Sequence, residues 1–222
     1  WYVKIETDSI KREALFMREV ETKKIIDAAF EVFVREKIEV ANMSEIARTA
    51  GVGRATLFRH FPSKLELVIA VNGAKWKEYL DELDRTRPIS SVDDIPAIDR
   101  FIFTMDSYID MYVNHKSLLI FNDNFNHYVS KLGPEHTQLK EFQASLTSAD
   151  TRFYKMYEKA KEDHTLRTDI PFDEIMRETV HVMMAACTYY ANGFIWGADK
   201  NKDYTSELRR IKEMIVEYVR GE

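Results

Sequence analysis

The chain has 222 residues, of which 45% are apolar and 12% aromatic, enough for one large domain or two small ones with a substantial core. Its single cysteine, Cys187, excludes an intrachain disulfide and fits a reducing compartment, so a cytoplasmic protein is expected; Trp1 standing in place of a methionine fits a trimmed start. No signal-peptide pattern and no apolar run of membrane length is seen, and the net charge of −5 argues at first against an acidic partner.

Taken in chain order, nearly everything follows helical periodicity. Residues 1–18, with Lys11, Arg12 and Arg18, read as a frayed tail or an early extension of the first helix, ahead of a basic arm as the alternative. The first helix, about 22–36, has Ile26, Ala29, Phe30 and Phe33 at i, i+3, i+4 and i+7. From Asn42 to Lys64 the text NMSEIARTAGVGRATLFRHFPSK reads as two short helices around a glycine turn. Asn42 with Glu45 three residues on forms a capping-box pattern, and Ile46, Ala47 and Ala50 make an apolar stripe. Gly51-Val52-Gly53 supplies the turn. The second short helix, 54–61, is expected to turn Leu57, Phe58 and Phe61 inward and Arg54, Thr56, Arg59 and His60 outward. Pro62 stops it, and Ser63 with Glu66 caps the next. This is a helix-turn-helix.

A fourth helix, about 64–84, begins Leu65, Leu67, Val68, Val71 and ends in charge, so it is expected to link a head to a body; 87–94 reads as a loop. A fifth, from about 95, aligns Ile98, Phe101, Ile102, Met105, Ile109 and Tyr112. The sixth spans about 116–131 and stops at Gly133-Pro134; a long seventh is expected over 135–164. The eighth, 172–196, is closed by Gly197, and the last, 204–220, presents Leu208, Ile211, Ile215, Tyr218 and Val219. No strand or internal repeat is visible. The predicted fold is all-α: a three-helix head over residues 1–64 and a larger helical body over 65–222.

Residues 22–70 resemble the DNA-binding head of the TetR family of bacterial transcriptional regulators. The likeness rests on IIDAAFEVF (Ile25–Phe33), Ile46-Ala47, Ala50-Gly51-Val52, Thr56-Leu57-Phe58-Arg59-His60-Phe61 and Ser63-Lys64. Beyond them only length and the helical pattern agree. Three positions depart from the family. Lys37 stands where glycine is usual, and a left-handed cap there would cost it about 1 kcal/mol. Phe58 stands where a tyrosine hydroxyl commonly meets a phosphate. Gly53 replaces a Ser or Thr N-cap.

Charge is distributed accordingly: residues 1–64 hold 12 Lys and Arg against 10 Asp and Glu, while the remainder carries −7. The balance of +2 is small, so placement must supply what bulk charge does not. At the start of the second motif helix, Arg54 has a fork suited to guanine O6 and N7. Thr56 can meet a phosphate or a thymine methyl, Ala55 permits close approach, and Arg59 and His60 suit the backbone or flanking bases. Phe58 is expected to pack rather than touch bases. Lys64 and Ser44 open helices whose free N–H groups favour phosphate. The resemblance implies DNA contacts at Arg54, Ala55, Thr56, Phe58, Arg59, His60 and Lys64, and an N-terminal arm could add a minor-groove contact.

No catalytic constellation is found. The six histidines lack ligand spacing, no HExxH, GxSxG or phosphate loop occurs, and Cys187 reads as inert packing, so neither an enzyme nor a metal or cofactor site is expected. The body's aromatic and methionine stripes mean core first. The resemblance adds the expectation of a small-molecule pocket, apolar with a few polar tips. Candidates are Tyr108, Tyr112, Phe121, Phe125 and Tyr128, then Phe153, Tyr157 and Met184, with His181 and Thr188 as polar contacts. The family's last two helices pair with a second copy in a four-helix bundle, which implies an interface at Ala186, Tyr189, Gly193, Leu208, Ile211, Ile215 and Tyr218. Closing the chain's own core is the competing use of that stripe. The combined expectation is a homodimeric repressor on a palindromic operator, released by a small hydrophobic effector that shifts the fourth helix. The alternative is the same fold acting constitutively or under a protein partner.

Overall fold

A computed structural model describes residues 2–86, 95–132, 150–193 and 202–221, with side chains from Glu13 onward except 14 and 150–153. Among these residues every regular element is an α-helix: α1 (Tyr2–Glu36), α2 (Met43–Thr49), α3 (Arg54–His60), α4 (Lys64–Thr86), α5 (Ala97–Asn114), α6 (Lys116–Val129), α7 (Asp150–Asp163), α8 (Phe172–Asn192) and α9 (Thr205–Val219). A single β-bridge, Leu166 to Arg220, stands outside them. None of these helices is long and apolar enough to cross a membrane. The chain divides into two compact units, one of residues 1–76 with 124–132 and one of 77–123 with 133–222.

The first unit is the head. α1 begins far earlier than residue 22, because nothing in 2–21 breaks a helix: the segment has no proline or glycine. Its C-terminal half turns Ile25, Ala29, Val32 and Phe33 into a fully buried core. Lys37 ends it at φ 67, the left-handed cap that the missing glycine would have taken without strain. Ile38 then tucks into the core, and the Ala41 N–H returns to the Lys37 carbonyl at 3.1 Å.

Asn42 caps α2 through its side-chain oxygen, 2.8 Å from the Ser44 N–H. The reciprocal half of the expected capping box is not made. Glu45 instead accepts from Arg35 at 2.6 Å, tying α2 to the end of α1. At the other end, the Gly51 N–H reaches Arg48 O and the Val52 N–H reaches Ala47 O, the paired bonds of a Schellman ending. Gly51 has φ 67, whereas Gly53 has φ −68, so only the first glycine is conformationally required. Ser63 and Glu66 cap α4 as expected, with the Glu66 N–H 3.2 Å from Ser63 Oγ and that hydroxyl donating to Glu66 Oε1 at 3.0 Å. Residues 124–132 complete the unit: Asn124 donates to Phe33 O at 3.3 Å, and Lys131 pairs with Glu39 at 2.8 Å.

The second unit is built around α5, whose Ile98, Phe101, Met105, Ile109 and Tyr112 are buried and whose Ile102 is half-buried. Pro96 offers α5 no side-chain cap. The acceptors come from 66 and 67 residues away instead: Asp163 Oδ2 accepts the Ala97 N–H at 2.8 Å and Thr165 Oγ1 the Ile98 N–H at 3.0 Å. Tyr79 donates to Ser107 O at 2.7 Å, and the Tyr112 oxygen accepts the Tyr204 N–H that opens α9. α8 stops earlier than expected, at Gly193 with φ 69, because that glycine already provides the left-handed cap. The expected closure at Gly197, the loop 87–94, the Gly133-Pro134 stop and the 135–149 part of the long seventh helix lie outside the described residues.

Candidate nucleic-acid interface

α3 has seven residues, and Leu57, fully buried, anchors it in the head. Arg54, Ala55, Phe58 and Arg59 are exposed and Thr56 is half-buried. Phe58 is thus turned outward, against the expectation that it packs inside, with 36% of its surface open. The Arg54 guanidinium lies over its ring, 5.6 Å from the centroid. A cation held on an aromatic face keeps its N–H edge available for acceptors, so Phe58 steadies Arg54 where a tyrosine would have offered its own hydroxyl.

Two other residues expected at the DNA are bonded within the head. His60 does not point outward: its side chain is only 4% exposed, with Nδ1 3.0 Å from Thr22 Oγ1 and Nε2 2.8 Å from Glu21 Oε2. It pins the end of α3 to α1. Lys64 donates to Glu39 O at 3.0 Å and Ala41 O at 2.8 Å, and its ammonium lies 5.9 Å from the Tyr128 ring centre. Burial lowers the Lys64 pKa below its ordinary value, against the opposing pull of Glu39. Lys64 therefore closes the 37–42 loop. Ser44 is exposed at the start of α2, on the residue whose N–H Asn42 caps. Sequence reading missed Glu21 and Thr22, because their partner lies 38–39 residues away and no local spacing announces it.

The expected effector residues fall in both units. Phe125 and Tyr128 belong to the first unit, the others to the second, and the Phe153 side chain is outside those described. Tyr112 and Phe121 are core residues. Tyr108 is enclosed enough that burial, helped by nearby Cys187, pushes its phenol up to about 12; burial does the same to the Cys187 thiol. Tyr157 donates to Ile170 O at 2.9 Å and edges a cavity of about 10 Å³ among Phe101, Met156, Phe172 and Ile175. That volume holds about one water molecule and no organic effector. His181 is exposed, while Met184 and Thr188 are half-buried. Among the described residues no group of three or more His, Cys, Asp or Glu could hold a metal.

The expected interface residues separate by exposure. Leu208 and Ile215 are buried in the unit's own core, at 0% and 8%. Tyr189 and Tyr218 are exposed at 58% and 42%, joined by Val182 at 53% and Met214 at 73%. Ala186, Gly193 and Ile211 are half-buried. Tyr218 donates to Glu178 at 3.1 Å, which sets the exposed faces of α8 and α9 side by side.

A buried-anchor helix with cationic, solvent-facing side chains behind a Schellman turn defines a helix-turn-helix head. Residues 25–71 match the family model described as bacterial regulatory proteins, tetR family. Over 64 residues the chain is 44% identical to the HTH-type transcriptional regulator SrpR of Pseudomonas putida, covering 29% of each chain. Over 47 residues it is 51% identical to the HTH-type transcriptional activator FasR of Mycolicibacterium smegmatis, covering 21% of this chain and 22% of that one. The chain thus matches less than a third of the length of these relatives. Solved structures extend the fold likeness. A transcriptional regulator from Saccharomonospora viridis in complex with choline aligns with TM-score 0.69 at 15% identity, over 90% of this chain and 97% of its own. The fatty acid degradation regulator FadR from Bacillus halodurans aligns with TM-score 0.65 at 16% identity, over 89% and 99%.

Proposed function

We propose that the chain is a DNA-binding transcriptional regulator, acting as a homodimeric repressor on a palindromic operator. The observation that carries the reading is the outer face of α3: Arg54 over Phe58, Ala55 and Arg59 all face solvent while Leu57 holds the helix from behind. Arg54 is assigned to a guanine edge, Thr56 and Arg59 to backbone or flanking bases, and Ser44 to a phosphate at the start of α2. His60 and Lys64 are reassigned to holding the head together. Binding of labelled duplexes across a salt series, for the parent chain and Arg54→Ala, tests this.

Dimerisation is supported by the exposed Val182, Tyr189, Met214 and Tyr218 on adjoining faces of α8 and α9. Isolated exposed apolar residues need no explanation; a contiguous stripe of large ones does. A doubled head would span half-sites roughly 34 Å apart. Release by a small effector is supported by two fold neighbours, one solved in complex with choline and one a regulator of fatty acid degradation. α4 begins in the first unit and ends in the second, which suits it to carry such a signal. A thermal-shift screen of quaternary amines and acyl compounds, followed by release from DNA, tests this part. A constitutive or partner-controlled regulator is the outcome if nothing binds.

A further inference from the structure

Beside α3, the α1 segment around Arg18 to Lys24 and the turn at Gly51 enclose a groove of about 500 Å³. Arg18, Lys24 and Arg59 bring three cations to it, and Glu21 is the one acid among its described lining residues. The Glu21 carboxylate does two things through one oxygen. Oε2 lies 2.8 Å from His60 Nε2 and 3.5 Å from an Arg59 terminal nitrogen. His60 is nearly buried and also bonded to Thr22, so the carboxylate is held in place, whereas Arg59 is 67% exposed and can swing.

We infer that Glu21 is a positioning residue that stands in for a DNA phosphate, holding Arg59 against the head until a backbone phosphate displaces it. The inference rests on the DNA-binding reading above. An exposed carboxylate–guanidinium pair is weak, so a phosphate can replace it. Phosphates carry no sequence, so this brake acts on all duplexes alike and lowers non-sequence-specific affinity.

Anisotropy of a labelled random-sequence duplex tests it on the full chain, with the parent, Glu21→Gln, Arg59→Ala and the double variant across a salt series. Glutamine keeps an acceptor for His60 while releasing Arg59. Glu21→Gln should tighten binding about two- to fivefold at low salt. The log K against log salt slope should stay that of the parent, because Arg59 meets the same phosphate in both complexes. The gain should vanish in the Arg59→Ala background. An unchanged Glu21→Gln affinity overturns the inference. So does an equal gain without Arg59, which would make Glu21 merely a nearby charge. If Glu21→Gln lowers the melting midpoint, Glu21→Asp, which keeps the charge but withdraws it by one methylene, must still tighten binding. A parent that binds duplex and loses it on Arg54→Ala, with Glu21→Gln neutral, sinks this inference alone; a parent that binds nothing sinks the DNA-binding reading as well.

Discussion

Lys37 holds a φ of 67 that its Cβ disfavours, and the residue is exposed, so its side chain does little to offset the strain. Lys37→Gly should therefore raise the head's stability by about 1 kcal/mol in denaturant melts; an unchanged or lowered midpoint would contradict the strain. Asp163 is the second residue with a measurable consequence. Partial burial works to raise its pKa, but the N–H groups of Thr165 and Ala97 and the Thr165 hydroxyl outweigh it and hold the carboxyl below its usual value. Because the folded value lies below the unfolded one, the stabilisation is present above the ordinary aspartate range and is lost as pH falls through the folded value. Asp163→Asn should cost about 1 kcal/mol at neutral pH, as loss of a cap does. Urea melts should show that cost shrinking below roughly pH 4. A constant difference between the two chains at all pH values would mean the carboxylate charge is irrelevant.

Helix existence was legible in the sequence, and helix faces were less so. The 3.6-residue period located α4, α5, α6, α8 and α9 to within a few residues, because each buries a long apolar stripe. α3 spans two turns, too short for periodicity to decide which of Phe58 and His60 turns inward; the His60 contacts to α1 decide it. The α8 terminus was misplaced because two glycines, Gly193 and Gly197, could each have capped it. The same limit affected α9, where one stripe serves two faces: Leu208 and Ile215 inward, Met214 and Tyr218 outward. This division yields a prediction for the element pair. Val182→Glu combined with Tyr189→Glu should convert a dimer to a folded monomer by light scattering, whereas Leu208→Glu should unfold the second unit instead. A double variant that stays dimeric would place the interface elsewhere.

At the scale of the whole chain, a net charge of −5 sits uneasily with a polyanionic partner, and the +2 of residues 1–64 relieves this only slightly. Affinity must come from where the cations stand rather than how many there are. Arg54 and Arg59 are exposed on one short helix, with Arg18 and Lys24 beside it, while Lys64 is bonded to carbonyls within the head and Lys131 pairs with Glu39 at its surface. The most direct measurement selects duplexes from a random library with the intact chain and then follows the best one by anisotropy across a salt series. The account predicts a linear fall of log K with log salt and a loss of about ten- to a hundredfold for Arg54→Ala, with its thermal midpoint unchanged. A chain that enriches no duplex at low ionic strength, or an Arg54→Ala variant that binds as tightly as its parent, would contradict it.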